Sequence, residues 1–240
     1  MTPGADAVAA ASRALCVGIG GGGDVVGALA FAEGARALGI PTVVGGLTWE
    51  RHVVDPEPGP RRMDEVHGVR PLGHPAVALA GADAGGEGFT FAEGRMAAFL
   101  GPDEDVLLLD PHPGPAGIAD GLATACRELG CDLLVLLDVG GDVLAHGDEP
   151  GLASPLADAV VLAAAAHLPG ELSCLAVVFG AGCDGELDPA EVVERLEEVR
   201  AAGGHRGLLP VDDAGLARAS AAVAAVPTEA SDMALRCARG

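Results

Sequence analysis

The chain has 240 residues, 50% of them hydrophobic, which is enough for one α/β domain with a substantial core. Acidic residues outnumber basic ones by 35 to 14, for a formal net charge of -21, which disfavours nucleic-acid and anionic-membrane partners because both require a basic surface. All 14 basic residues are arginine, so chemistry that requires lysine, such as a Walker A phosphate site or a Schiff base, is excluded.

Short apolar runs alternate with helical segments along most of the chain, after a loose arm or a first short helix at 1–13. We predict strands at 14–19, 41–46, 105–109, 133–137 and 174–179, an edge strand at 76–80 and a last short strand at 208–211. We predict helices at 25–38, 91–100, 116–129 and 154–168, from 188 onwards, and at 214–225. This alternation indicates a doubly wound, Rossmann-like α/β fold, with a mostly parallel sheet and helices on both faces.

We expect a single domain over residues 1–240, with a mobile loop region at about 52–90. Its first part, 55–62, is too rich in proline to form a regular element, and 81–88 is rich in glycine. A long loop inside a compact domain is typically functional or mobile.

The six cysteines and the N-terminus indicate the compartment. No two cysteines form a Cys-x-x-Cys pair, so a structural zinc site is not expected. The N-terminus lacks a basic segment followed by an apolar core, and no apolar run reaches 18 residues without interruption. We therefore expect a cytoplasmic protein with free thiols and no membrane partner, and we leave homo-oligomerisation open.

Four consecutive glycines, Gly20–Gly23, follow the first predicted strand and precede a helix that begins near Asp24. Glycine allows a ligand to approach the backbone closely, and a helix start offers unpaired N–H groups and the positive end of its dipole. The loop is therefore predicted to bind a phosphate or carboxylate through Gly21, Gly22, Gly23 and Asp24, although its spacing is not that of a dinucleotide site. A tight turn capped by Asp24 is the alternative explanation.

Polar clusters also follow the carboxyl ends of the other predicted strands. These clusters are Thr48, Trp49, Glu50 and Arg51; Asp110 and His112; Asp138 and Asp142; and Cys183 and Asp184. Ligands of an open parallel sheet bind outside these strand ends, at the topological switch point. We therefore expect five loops to converge on one pocket.

The aspartates are predicted to carry the chemistry of this pocket. Asp138, Asp142 and Asp110 are the candidate catalytic residues, and Asp138 and Asp142 are also candidate ligands of a divalent cation such as Mg²⁺, with no other cofactor assigned. The candidate substrate contacts, besides the glycine loop, are Thr48, Trp49, Glu50, Arg51 and His112. A solvated acidic loop around Asp142 and an ordinary packed loop around Trp49 are the alternatives. Cys183 has no adjacent base in the sequence, so it is expected to be structural.

Several of these segments resemble the domain of unknown function 1152 proteins of archaea and actinobacteria. The resemblance rests on residues 20–27, 45–51, 55–61, 138–142, 154–158 and 228–231. It covers nearly the whole chain, implies a Rossmann-like α/β fold, and implies that relatives continue beyond 228–231 with a terminal strand. More remotely, the glycine loop followed by an acid is similar to that of D-glutamate cyclases, which close an amino acid into a lactam.

Three functions remain open from the sequence. The first is an enzyme of lyase, cyclase or hydrolase type on an amino-acid-like, zwitterionic substrate, whose carboxylate binds the glycine loop and whose amine binds Asp110, Asp138 and Asp142. The second is a Mg²⁺-dependent enzyme on a phosphate ester or nucleotide, with Arg51 in place of the absent lysine. The third is a non-catalytic protein that binds a small molecule in the same pocket.

Overall fold

The computed structural model describes residues 2–240 and contains one eight-stranded sheet. Its strands are β1 (Ala14–Gly18), β2 (Thr42–Leu47), β3 (His67–Pro71), β4 (Val77–Gly86), β5 (Phe89–Thr90), β6 (Val106–Leu109), β7 (Leu133–Val139) and β8 (Ser173–Phe179). The helices are α1 (Pro3–Ala10), α2 (Asp24–Ala37), α3 (Ala92–Leu100), α4 (Gly114–Leu129), α5 (Pro155–Ala164), α6 (Pro189–Ala201), α7 (Asp213–Ala222) and α8 (Glu229–Arg239). Residues 3–10 thus form the short helix that was one of the two expectations for 1–13. Met1, which belongs to that range, lies outside the described residues. Among the helices of residues 2–240, none has the length and apolar character needed to span a membrane.

The sheet is parallel in its centre and is covered on both faces. Strands β6, β2, β1, β7 and β8 are parallel neighbours in that order, whereas β3, β4 and β5 pair antiparallel. Side chains of one strand alternate between the faces, so Cys16 joins a core with α2, α3, α7 and α8, while Leu15 and Val17 join a second core with α4 and α5. The predicted doubly wound, mostly parallel α/β fold is confirmed.

The strand order reverses between β1 and β7. From β1 the chain crosses to β2 and later to β6 on one side, whereas β7 and β8 lie on the other side of β1. The loops that follow β1 and β7 therefore diverge and leave a crevice at the carboxyl edge of the sheet. This switch point positions the candidate site.

Residues 67–90 contain the three strands β3, β4 and β5 instead of the expected loop, whereas 52–62 has no helix or strand. Strand β4 pairs with both β3 and β6, so the strand predicted at 76–80 lies inside the sheet and is not an edge. Glycine and alanine make up most of β4. These residues have low strand propensity, so the sequence pattern did not reveal the second part of β4, residues 81–86.

Two further differences lie near the C-terminus. The last strand predicted at 208–211 is wrong, because these residues have no regular structure and Leu208 is largely exposed. A helix that the sequence reading omitted, α8, begins after Thr228, whose hydroxyl accepts a hydrogen bond from the Ser231 N–H at 3.4 Å. This helix brings its first turn to the glycine loop, where the Ser231 hydroxyl donates to the Gly23 carbonyl at 2.9 Å.

Candidate functional site

A cleft of about 220 Å³ lies at the carboxyl ends of β1 and β7, at the switch point. It is bounded by the glycine loop, the segment after β7, the loop after β8, and the starts of α5 and α8. Its acidic lining residues are Asp24, Asp138, Asp142, Asp158, Asp184, Glu186 and Glu229. Arg51 is the one basic lining residue within 2–240. The cleft therefore combines seven acidic groups with one basic group, a composition that favours a cationic ligand.

Three buried carboxylates, which we call the inner triad, meet in this cleft: Asp24, Asp138 and Asp158. One oxygen of each lies within 4.8 Å of the others. They come from the start of α2, the end of β7 and the first turn of α5, so three elements distant in sequence hold them together. Their exposed fractions are 8%, 1% and 0%.

The inner triad is only partly satisfied by hydrogen bonds. Asp24 Oδ2 accepts the N–H groups of Gly20 at 3.0 Å and Val139 at 3.3 Å, which ties the glycine loop to β7. Within residues 2–240, Asp138 Oδ2 and both oxygens of Asp158 have no hydrogen-bond partner. Buried carboxylates without donors are costly, because nothing replaces their lost hydration.

Burial and mutual repulsion raise the pKa of all three inner carboxyls. Burial raises the pKa of Asp24 well above its ordinary value, and the neighbouring Asp138 raises it further. The pKa of Asp138 is raised by burial and then by Asp158. Burial, followed by repulsion from Asp142, raises the pKa of Asp158 to about 9. At neutral pH the triad therefore retains protons unless a cation compensates its charge.

A second group, the outer triad, consists of Asp142, Asp184 and Glu186, with one oxygen of each within 4.8 Å of the others. Asp142 is buried and the other two are half-buried. Oδ2 of both aspartates lacks a hydrogen-bond partner within the described chain. Both triads line the same cleft, and the charge of Asp142 contributes to the raised pKa of Asp138, so the two triads adjoin. Burial, and next the charge of Glu186, raise the pKa of Asp142 to about 6, and burial also raises that of Asp184.

Glu186 is held in place by the start of α5. Its Oε2 accepts the N–H groups of Ala153 at 2.7 Å and Ser154 at 2.9 Å, and its Oε1 accepts the Ser154 hydroxyl. The helix that carries Asp158 is thereby tied to the outer triad.

The glycines of the loop are required by close contacts. A Cβ on Gly20 would lie 2.7 Å from Asp24 Oδ2, and one on Gly23 would lie 2.1 Å from Thr228 Oγ1. Gly22 donates its N–H to the Trp49 carbonyl at 2.9 Å, but the N–H groups of Gly21 and Gly23 have no acceptor in the described part of the chain. These two donors, at the start of α2, remain available to an anion.

One family model matches nearly the whole chain. The family model described as "Protein of unknown function (DUF1152)" matches residues 15–240. The chain belongs to the DUF1152 family. No curated protein and no solved structure matches it. The matched residues include all members of both triads and the glycine loop, so the cleft lies within the DUF1152 region.

Arg51, in the segment that follows β2, lines the cleft. Its guanidinium donates to the Pro227 carbonyl at 2.6 Å, just before α8. Trp49 packs against the core on the side of α4 and α5, and its carbonyl holds the glycine loop. Arg51 is thus placed to contact a ligand, whereas Trp49 supports the loop.

Thr48 and Glu50 hold backbone segments and do not line the cleft. The Thr48 hydroxyl donates to the Arg61 carbonyl at 2.5 Å, which anchors the proline-rich segment. Glu50 Oε1 accepts the Ala92 N–H at 2.5 Å, at the start of α3.

Asp110 and His112, which we expected in the same pocket, lie outside the cleft. They follow β6, which is two strands from β1, or about 10 Å away at the usual strand spacing. Asp110 Oδ2 accepts the Met63 N–H at 2.8 Å, and Oδ1 lies 2.8 Å from His112 Nδ1.

Of the two residues of the polar cluster after β8, Asp184 lines the cleft, whereas Cys183 does not.

Five residues in or near the site were not predicted from the sequence. They are Glu93, Ser154, Asp158, Glu186 and Glu229. The available signal for Asp158 was a lone acid in the alanine-rich helix predicted at 154–168. Glu93 is buried on α3, neither of its oxygens has a partner within residues 2–240, and burial and then Glu50 raise its pKa.

Proposed function

We propose that this DUF1152 chain is a divalent-cation-dependent enzyme that acts on a small phosphate ester or nucleotide. The observation that carries the proposal is the set of buried carboxylate oxygens without donors on Asp138, Asp142 and Asp158. Folding alone does not explain such a set, because each unpaired buried carboxylate destabilises the folded state.

The donor set favours a hard cation. All candidate ligands are carboxylate oxygens, which suit Mg²⁺, Mn²⁺ or Ca²⁺. No histidine or cysteine lines the cleft within residues 2–240, and those are the ligands that zinc prefers. A bound divalent cation would supply charge that stabilises phosphoryl oxygens in the transition state.

The glycine loop and Arg51 favour an anionic substrate beside the cation. The free N–H groups of Gly21 and Gly23 offer two donors at the start of α2, and Arg51 offers a guanidinium on the same cleft. In the proposed reaction these groups bind and orient the phosphate. Asp142 would be a ligand of the cation, and the cation would lower the pKa of the attacking hydroxyl or water.

A zwitterionic amino-acid substrate is supported less well. One ammonium group carries a single positive charge and three donors, so it would leave most of the seven acidic lining residues uncompensated. Asp110, one of the three residues expected to bind the amine, also lies outside the cleft. A non-catalytic binding protein would use the same contacts and is distinguished by the absence of turnover.

The test is thermal stability with metals and candidate ligands. Mg²⁺ or Mn²⁺ should raise the melting temperature, and a nucleotide or phosphate ester should raise it further only when the metal is present. Asp158→Asn should reduce the stabilisation by the metal. Asp148→Asn is the matched control, because Asp148 is exposed and does not line the cleft. Stabilisation by amino acids without metal, and none by phosphate esters with metal, would contradict the proposal.

A further inference from the structure

We propose that the cleft holds two adjacent divalent cations, one bound by the inner triad and one by the outer triad. This inference rests on the proposed function, since it concerns the same cleft, and it specifies the number and the unequal roles of the cations.

The inner triad meets the geometric requirement for one cation by itself. Oxygen ligands at about 2.0–2.6 Å from Mg²⁺ or Ca²⁺ lie at most about 4–5 Å from one another. The oxygens of Asp24, Asp138 and Asp158 lie within 4.8 Å. Asp138 and Asp158 are almost fully buried, line the cleft and have oxygens without hydrogen-bond partners within residues 2–240.

The outer triad requires a cation of its own. Asp142 is 5% exposed, and its Oδ2 has no partner within residues 2–240, as is true of Asp184 Oδ2. One cation at the inner triad would leave these oxygens without compensation. Asp138 and Asp142 line the same cleft and are close in the chain, which places the two positions side by side, as in two-metal enzymes, whose ions are about 3.5–4 Å apart.

The two positions differ in access. The inner ligands are buried and belong to helices and a strand, so the inner cation should bind first and exchange slowly. Two outer ligands, Asp184 and Glu186, are half-buried and lie in the loop after β8, so the outer cation keeps coordination positions open for substrate. A Cβ on Gly140 would lie 2.1 Å from Asp184 Cγ, so a glycine at this position allows the outer triad to close.

The test is the number of Mn²⁺ ions bound, measured by electron paramagnetic resonance of free Mn²⁺ during titration of the full chain. We expect two ions for the wild type and for Asp148→Asn, and a spin-coupled spectrum at saturation. Asp158→Asn should lose the inner ion and Asp184→Asn the outer ion, so each variant binds one and loses the coupling. Circular dichroism and a melting curve establish that each variant is folded.

The outcomes separate this inference from the proposed function. A wild-type count of one overturns the two-cation inference but leaves the cation-dependent enzyme standing. A count of zero overturns both. The wild-type count requires no variant, so a misfolded substitution does not prevent a decision.

Discussion

Asp158→Asn should make the cation-free protein more stable while it weakens cation binding. Asp158 is fully buried, neither oxygen has a hydrogen-bond partner in the described chain, and its pKa is about 9. Asparagine has nearly the same shape and no charge, and its amide N–H groups can donate to the neighbouring carboxylates. The substitution therefore removes the repulsion but also removes a cation ligand.

The magnitude follows from linkage. An aspartate has an unfolded pKa of about 3.9, so at pH 7 the folded protein must retain a proton that the unfolded chain releases, at a cost of about 4 kcal/mol as an upper limit. Between about pH 4 and 9 the folded state binds more protons, so the stability of the wild type falls as pH rises. The advantage of Asp158→Asn grows over the same window. For a chain of this size, it corresponds to an increase in melting temperature of roughly 10 °C.

The assay compares urea or thermal unfolding of wild type, Asp158→Asn and Asp148→Asn in EDTA at pH 5 and pH 8. Saturating Mg²⁺ should then stabilise the wild type by about 2.7 kcal/mol at one hundred times Kd, and Asp158→Asn by much less. A lower stability of Asp158→Asn than of the wild type at pH 8 without metal would refute this prediction. A difference between the two proteins that does not grow with pH would also refute it.

Three further substitutions test other parts of the site. Gly20→Ala places a Cβ 2.7 Å from an oxygen of the inner triad and should weaken Mn²⁺ binding by about tenfold or more, whereas Gly170→Ala, which meets nothing within 4 Å, should not. Arg51→Ala should weaken binding of a phosphate ester by roughly 10–100-fold in calorimetry without changing the number of Mn²⁺ ions bound, and the exposed Arg70→Ala is its control. Asp110→Asn should lower the free energy of unfolding by about 1–3 kcal/mol, because it weakens the bonds to Met63 and His112, and it should leave Mn²⁺ binding intact. A loss of Mn²⁺ binding in Asp110→Asn would contradict this assignment and show that Asp110 contributes to the cation site.

The sequence predicted the central sheet because buried parallel strands are continuous apolar runs, and β1, β2, β6 and β7 all have that pattern. It also predicted that acids at the carboxyl ends of strands gather at the switch point. Asp138 at the end of β7, Asp142 after β7 and Asp24 after β1 lie there because those two strands are neighbours.

The rest of the site depends on strand order and on helix packing, which a single sequence does not reveal. Asp110 follows a strand as Asp138 does, but β2 lies between its strand and β1. Asp158 reaches the cleft only because α5 packs over β7 with its first turn at the crevice. Glu186 lies in a loop, and its position is fixed by backbone N–H groups distant in sequence. Contacts between residues distant in sequence leave no pattern in the local sequence from which they could be predicted.

Outside the cleft, Asp55 and Glu33 are paired with arginine, whereas the buried Glu93 is not. Asp55 is 1% exposed and lies 2.5 Å from the Arg61 guanidinium, which lowers the pKa of Asp55. Glu33 is likewise bound by two arginines, Arg36 and Arg218. At Asp55 and Glu33 the fold therefore compensates negative charge with its own cations. The two triads receive no such partner within residues 2–240, although Arg51 lies on the same cleft. Because unpaired buried charge lowers stability, its concentration at the switch point is best explained by a positive charge that comes from outside the chain.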